Sequence, residues 1–150
     1  MNRSKYLLLC SILLSSYVIN NTKSTTINSE STNYETIHDY SEISDKKLNW
    51  NEMFSVNYKQ YFVYFYSLGC HHCNELKNDI IEFALNGQEH IYFIQESIDF
   101  VISDNIDNTI GISSIENMAI LGFPSLVYIN NSRVMENIGG ISKIRNRLKI

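Results

Sequence analysis

Apolar positions along residues 44–150 form short runs whose spacing changes between strand-like and helical. The run "YFVYFYS" at residues 61–67 is apolar up to its final serine, which predicts a strand buried on both faces in the middle of a sheet. The following "NELKNDIIEFALNG" has apolar residues at helical spacing and ends at Asn86-Gly87, a typical helix stop. "HIYFI" then predicts another strand.

Two further helices are predicted before and after these elements. "SDKKLNWNEMFSVN" is amphipathic and starts with Ser44 and Asp45, either of which could cap a helix. "SSIENMAIL" predicts a short helix opened by a capping box of Ser113 and Glu116. Between residues 95 and 111 the apolar and acidic positions follow no clean period, so no element is predicted there.

The end of the chain predicts a hairpin and a closing helix. "SLVYINNSRVMENI" has two β-rich runs around residues 130–132, which is typical of a hairpin. "ISKIRNRLKI" is amphipathic, with Ser142 as a candidate cap and basic residues near its end, where they suit the helix dipole. The order helix, strand, helix, strand, helix, hairpin and helix predicts an α/β domain with a central sheet.

The first residues predict an export signal rather than part of the fold. Arg3 and Lys5 precede a fourteen-residue apolar run, a pattern typical of secretory signals. The run is short for a membrane span, which needs about 20 residues, and it lacks an A-x-A cleavage site. Residues 1–20 are therefore predicted to be a signal peptide or an uncleaved membrane anchor. Cys10 lies in this run after Leu9, so an apolar filling role is expected rather than lipidation, which needs a small residue there.

Polar residues dominate the next segment. Twelve of the seventeen residues at 20–36 are Asn, Ser or Thr, and such a tract cannot bury enough surface to offset the entropy of ordering it. We therefore predict a flexible linker at residues 21–43 and one domain at residues 44–150. A tether behind an export signal places the expected work outside the cytoplasm, with the domain membrane-tethered or secreted.

Composition narrows the classes of function. The chain has 150 residues, of which 44% are hydrophobic, and this suffices for one ordinary core. Its formal net charge of −4 argues against a nucleic-acid partner, for which a basic face is expected. Three cysteines are too few for a disulfide-stapled miniprotein.

The motif "GCHHC" places Cys70, His71, His72 and Cys73 where the predicted strand meets the predicted helix. A sulfur at a helix N-terminus lies near free N–H groups and the positive end of the dipole, which favour the reactive thiolate. Cys73 follows one turn later, where it can attack a mixed disulfide formed at Cys70. We predict that Cys70 attacks and Cys73 resolves. A protonated His71 or His72 would stabilise the thiolate, although at least one of them is expected to be merely exposed to solvent.

A metal site and a structural disulfide are the alternative interpretations of this motif. Four consecutive ligands do not readily converge on one tetrahedral ion, and His38 and His90 belong to no paired motif. A disulfide that closes so short a loop constrains little of the unfolded chain. We therefore predict no metal ligand and no bound cofactor.

The only proline, Pro124, precedes the predicted hairpin, and Gly139-Gly140 precede the last helix. Together with the buried strand, the Cys-x-x-Cys motif and the long helix, this order resembles the thioredoxin-like superfamily over residues 44–150. The resemblance implies a thioredoxin fold, which is a central mixed sheet flanked by helices. It also implies that Pro124 is a cis-proline beside the active-site sulfurs and that the backbone of Phe123 hydrogen-bonds an extended substrate.

The chain departs from the superfamily pattern at three points. Leu68-Gly69 stand where a tryptophan is common, and the stretch before Pro124 is longer than in a minimal thioredoxin. Tyr64 stands where many relatives carry a buried acid that helps to move the proton of the resolving cysteine. The histidine next to the second cysteine is similar to that of oxidising members. An exported, tethered single domain resembles the bacteriocin transport accessory proteins of Gram-positive bacteria.

These features predict an extracytoplasmic thiol–disulfide oxidoreductase that acts on cysteine-containing exported proteins and exchanges electrons with a redox partner. Oxidation or isomerisation is slightly favoured over reduction. The alternative is a non-catalytic peptide-binding accessory or chaperone module of an export system, which would use the surface at Pro124. Metal handling is the third hypothesis. An uncleaved N-terminal segment would make the membrane a further partner.

Overall fold

The computed structural model of the chain describes residues 36–87 and 89–150. The predicted export signal, including Cys10, and most of the predicted linker lie outside these residues. Within the described ranges, no helix is both long enough and apolar enough to cross a membrane.

A four-stranded mixed sheet forms the centre of the domain, in the order β2-β1-β3-β4. The strands are β1 (Gln60–Tyr66), β2 (Ile91–Gln95), β3 (Ser125–Asn130) and β4 (Arg133–Gly139). β1 pairs in parallel with β2 and antiparallel with β3, and β3 and β4 form an antiparallel hairpin. The apolar run in β1 is therefore a central strand, as its unbroken pattern predicts.

The two α-helices of the described residues pack on one face of this sheet, which we call the helix face. α1 (His71–Asn86) connects the parallel strands β1 and β2, and α2 (Ile141–Leu148) follows β4. The buried apolar cluster of the helix face includes Phe62, Tyr64, Tyr66, Phe93 and Leu126 from the sheet, and Cys73, Leu76, Ile80, Ile81, Ile144 and Leu148 from the helices.

Irregular chain covers the opposite face, which we call the loop face. Its cluster combines Tyr61, Val63, Phe65, Ile94, Val127, Ile129 and Val134 from the sheet with Met53, Met118 and Ile120 from the covering segments. The buried Asn137 amide holds part of this covering, because it donates to the Thr109 hydroxyl at 2.9 Å and to the Ala119 carbonyl at 2.8 Å. Alternate side chains of β1 thus serve two different cores.

The predicted hairpin is confirmed. Asn131 and Ser132 form a two-residue turn, and their φ angles of 49° and 58° lie in the left-handed region that a type I′ turn requires. The closing helix is also confirmed, but its cap is not the predicted one. Gly140, with a φ of 90°, occupies the N-cap position, and Ser142 lies inside α2.

Two predicted α-helices are wrong. Residues 44–57 contain short 3-10 helices at Ser44–Lys46 and Trp50–Glu52, because the chain between them is extended and the Leu48 N–H donates to the Phe93 carbonyl at the edge of β2. The second predicted helix is a single 3-10 turn at Ile115–Asn117. Its predicted capping box is absent.

The covering segments explain the second difference. Ile120 follows the 3-10 turn and forms an isolated β-bridge with Ile102, and such a bridge requires extended backbone. Ser114, rather than Ser113, bonds Glu116, through a side-chain contact of 2.9 Å. In this segment, β-bridge pairing and burial on the loop face override the local helix propensity.

The domain begins earlier than residue 44. Residues 36–43, which fall in the predicted linker, pack on the helix face. The Tyr40 ring stacks on Tyr66 with centroids 3.9 Å apart, and Ile43 is fully buried. The His38 N–H donates to the Asn78 side chain of α1 at 3.0 Å. The polar tract that suggested a linker therefore ends before these apolar residues.

Candidate active site

Cys70 lies between β1 and α1, where it is the N-cap residue of the helix. Its Sγ accepts a hydrogen bond from the Cys73 N–H at 3.1 Å, and its thiol donates to the Phe123 carbonyl at 3.4 Å. Cys70 is partly exposed, whereas Cys73 is buried. The helix N-terminus thus supplies a donor that stabilises a Cys70 thiolate, and Cys70 is the cysteine that a substrate can reach.

Cys73 lies one turn into α1 and points into the helix face. Burial, followed by the neighbouring Cys70 sulfur, raises the pKa of the Cys73 thiol to about 12, while the Ser67 backbone and the nearby Tyr64 hydroxyl act in the opposite direction. A thiol with this pKa is protonated at neutral pH. Cys73 must therefore lose its proton before it can attack another sulfur.

Two tyrosine hydroxyls belong to the buried cluster around Cys73. Those of Tyr40 and Tyr64 find no hydrogen-bond partner among the described residues, although an orphan buried hydroxyl costs about 1–3 kcal/mol. Burial raises the pKa of both tyrosines well above the ordinary value, and Cys73 contributes to each shift. Tyr40 was missed by the sequence analysis. Its spacing of three from Ile43, two large side chains just after the polar tract, is the signal that could have identified it.

Both imidazoles of the motif lie close to the Glu75 carboxylate. His71 Nε2 lies 2.8 Å from one Glu75 oxygen, and His72 Nδ1 lies 3.7 Å from the other. All three side chains are exposed. The predicted effect of the histidines on the thiolate stays a prediction, and Glu75 is a residue that the sequence analysis missed. Its spacing of four and three from the histidines was the available signal.

Phe123 and Pro124 lie in the loop before β3, where the Phe123 carbonyl accepts the hydrogen bond of the Cys70 thiol. Their peptide bond is cis, as the resemblance implies. The Pro124 carbonyl accepts a hydrogen bond from the Gly140 N–H at 2.9 Å, which connects this loop to the start of α2. The Phe123 ring packs on Phe100, with centroids 5.7 Å apart. The structure therefore brings Phe123 to Cys70, 53 positions apart in the chain.

A cleft of about 450 Å³ lies beside the motif, between His72 and Glu75 on α1 and residues 139–143. A cleft of similar volume, about 470 Å³, lies at the opposite end of β1 and is lined by Tyr58 and His90 among others. Within residues 36–87 and 89–150, no group of three or more His, Cys, Asp or Glu side chains is arranged to hold a metal ion.

None of the protein-family models matches the chain, and no curated protein matches its sequence. The structure is similar to oxidized mitochondrial thioredoxin 3 from Saccharomyces cerevisiae, with 15% identity, a TM-score of 0.48, and coverage of 69% of this chain and 92% of that chain. It is also similar to thioredoxin f2 from Chlamydomonas reinhardtii, with 10% identity, a TM-score of 0.44, and coverage of 67% and 94%. By its own strand order and by the crossover helix that starts at the cysteines, the chain has a thioredoxin fold.

Proposed function

We propose that this protein is a thiol–disulfide oxidoreductase that exchanges disulfides with cysteine-containing proteins through Cys70 and Cys73. One observation carries the proposal. A partly exposed Cys70 caps α1 and receives a backbone N–H at 3.1 Å, while a second, buried thiol lies one turn behind it. A merely structural cysteine pair needs neither the exposure of the first residue nor its place at a helix N-terminus.

Exchange takes two steps. The Cys70 thiolate attacks a substrate disulfide, so that a Cys70–substrate bond forms, the substrate S–S bond breaks and one thiolate leaves. Cys73 then loses its proton and attacks the Cys70 sulfur, which forms the Cys70–Cys73 disulfide and releases the second substrate thiolate. The two cysteines lose two electrons and the substrate gains them, and the reverse sequence oxidises a substrate dithiol.

A trapping experiment tests this proposal. Cys73→Ala removes the resolving thiol, so we expect mixed disulfides to accumulate through Cys70 and to disappear on reduction. The matched control is Cys70→Ala, which should form no such adducts. An absence of adducts in Cys73→Ala, together with no turnover of insulin disulfides by the parent protein, contradicts the proposal.

We propose oxidation or isomerisation as the direction of the reaction. Two histidines in the motif favour a thiolate when protonated, and β1 carries Tyr64 where an acid would assist reduction. The reduction potential of the cysteine pair tests the direction. A value near about −120 mV supports disulfide formation, whereas one near about −270 mV indicates a reductant.

We also propose that the domain works outside the cytoplasm on exported proteins, secreted or tethered by residues 1–20. The apolar run and the polar tract that follows it support this location. A role of the bacteriocin transport accessory type is the narrower form of the proposal. A membrane-impermeant maleimide applied to intact cells should label Cys70 in a Cys10→Ser protein. Labelling that requires lysis contradicts an external location.

A non-catalytic peptide-binding role is the second candidate, and exposed apolar side chains favour it. Leu68, directly before the motif, is 61% exposed. Val101 is exposed next to Phe100, which packs on Phe123. Peptide binding that persists in a Cys70→Ser/Cys73→Ser double variant, with no exchange activity in the parent, would select this role.

A further inference from the structure

Two buried hydroxyl groups on the helix face have no hydrogen-bond partner in the described part of the chain. They belong to Tyr64 and Tyr40, which are 0% and 6% exposed. By contrast, Tyr61 on the loop face donates its hydroxyl hydrogen to the Met53 carbonyl at 2.7 Å. Buried polar groups in folded proteins are nearly always paired, so two orphans in one cluster require a physical reason.

Both orphan hydroxyls belong to the cluster that holds Cys73. Although it makes no hydrogen bond among the described residues, the Tyr64 hydroxyl is near enough to lower the pKa of the Cys73 thiol, and Tyr40 in turn affects the pKa of Tyr64. The aromatic stack fixes these positions. The Tyr40 ring lies 3.9 Å from that of Tyr66, and the Tyr66 ring lies nearly parallel to that of Tyr64 at 6.2 Å.

In the proposed exchange, Cys73 must acquire a negative charge among these unpaired hydroxyls. A neutral thiol is a weak acceptor, whereas a thiolate is a strong one. We propose that Tyr64 and Tyr40 are positioning residues for the resolving step, with Tyr64 donating a hydrogen bond to the Cys73 thiolate and Tyr40 donating one to Tyr64. This inference rests on the proposed exchange function and adds the groups that stabilise its second nucleophile.

The tyrosines act as donors and keep their own protons. Burial raises the pKa of both, so neither is a base at neutral pH. When the Cys70–Cys73 bond forms and the Cys70–substrate bond breaks, the leaving thiolate takes up through solvent the proton that Cys73 has given up. The titratable groups with the largest effects on Cys73 are Cys70 and Tyr64, and those with the largest effects on Tyr64 are Tyr40 and the two cysteines. None of these is a carboxylate, an ammonium group or an imidazole.

The resolving step can be timed separately from the first attack. Full-length reduced protein carrying Cys10→Ser, which leaves Cys70 and Cys73 as its thiols, is mixed with one equivalent of dithiobisnitrobenzoate. The coloured thiolate is followed by stopped flow. A first phase reports the attack by Cys70, and a second phase reports its displacement by Cys73.

Tyr64→Phe removes the hydroxyl and keeps the ring. We expect its second phase to be about tenfold slower at any pH below the Cys73 pKa, because one pKa unit changes the thiolate fraction about tenfold. The first phase should be unchanged. Tyr40→Phe should slow the second phase about two- to threefold, since its effect passes through Tyr64. Tyr61→Phe is the matched control from the loop face and should change neither phase.

The possible outcomes separate this inference from the function on which it rests. A second phase that is as fast in Tyr64→Phe as in the parent overturns the inference and leaves the exchange function intact. A second phase slowed equally in Tyr61→Phe shows a general packing effect and overturns it as well. A parent that releases no second equivalent overturns the proposed function and the inference together.

Discussion

The two faces of the sheet share the strand β1 but differ in how their polar groups are paired. On the loop face, the Tyr61 hydroxyl reaches the Met53 carbonyl, and the Asn137 amide reaches Ala119. On the helix face, the buried hydroxyls of Tyr64 and Tyr40 find no partner in the part of the chain that the structure describes, and both residues belong to the cluster that holds Cys73. Within the same residues, the loop face also has one unpaired buried atom, the Asn137 side-chain oxygen, but that atom is only an acceptor. The helix face carries two unpaired donors in the cluster where a negative charge must form during the proposed reaction.

High pH should separate the two faces most strongly. Burial raises the pKa of Cys73 above 9.0 and those of Tyr40 and Tyr64 above 10.0, all on the helix face. On the loop face it raises the pKa of Tyr61 to about 12. Above its unfolded pKa each group has lost its proton in the unfolded state but keeps it in the folded state. The free energy of unfolding therefore falls by about 1.4 kcal/mol per pH unit for each group.

Urea titrations across the alkaline range measure this loss. The contribution is fully present below about pH 9 and is lost as the pH rises towards the folded-state values. In a Tyr40→Phe/Tyr64→Phe double variant, the free energy of unfolding should fall less steeply with pH than in the parent, by the contribution of two groups. In Tyr61→Phe the slope should be reduced by the contribution of one group. A parent stability that stays constant between about pH 9 and pH 11 contradicts the raised pKa values.

Removing a large apolar side chain from the loop face tests whether that face contributes to stability but not to thiol exchange. Phe65 is fully buried, and its ring contacts those of Trp50 and Phe100 edge-on, with centroids 5.7 Å apart in each case. Phe65→Ala should lower the free energy of unfolding by about 3–5 kcal/mol, as measured by denaturant titration. Under conditions in which the variant is folded, both phases of thiol exchange should keep the parent rates. A slower second phase in the folded variant would show that the faces are coupled.

Removing one hydroxyl from each face should change stability in opposite directions. Tyr61→Phe leaves the Met53 carbonyl without its donor, which should cost about 1 kcal/mol or more. Tyr64→Phe removes an orphan hydroxyl, so the free energy of unfolding at neutral pH should rise by about 1 kcal/mol. Two-state urea unfolding of the three proteins measures both changes. A destabilised Tyr64→Phe would show that this hydroxyl is paired in solution.

The central part of the fold could be predicted because local pattern and tertiary context agree there. The apolar run of β1, the stop at Asn86-Gly87 and the turn at Asn131-Ser132 each have one dominant physical cause. The loop face could not be predicted in this way. Its segments carry helical signals at residues 44–57 and 113–121, but the sheet edge and the buried bridge at Ile120 require extended backbone.

The residues of the candidate site also differ in how well the sequence predicts them. Cys70, Cys73 and Pro124 could be identified because cysteine and proline are rare in this chain and stand at the strand-to-helix junction and before the hairpin. Tyr40 and Glu75 were missed because their only signals were their spacings from Ile43 and from the histidines, and their roles depend on contacts made in space. A tyrosine after a polar tract has no pattern that indicates a neighbour on β1, and an exposed glutamate is ordinary on any helix.

The smallest expected effect lies at the exposed start of α1, at the edge of the helix face. Glu75 approaches both imidazoles, so its carboxylate offsets any positive charge that they carry near Cys70. Glu75→Gln should stabilise the thiolate form of the reduced pair and make the reduction potential more positive by on the order of 10 mV, because exposed charges interact weakly. Asp79→Asn is the matched control, since this carboxylate of α1 pairs with Arg145 at 2.8 Å. Redox equilibration with glutathione measures both potentials. A more negative potential in Glu75→Gln would contradict the idea that the Glu75 carboxylate offsets the charge of the imidazoles.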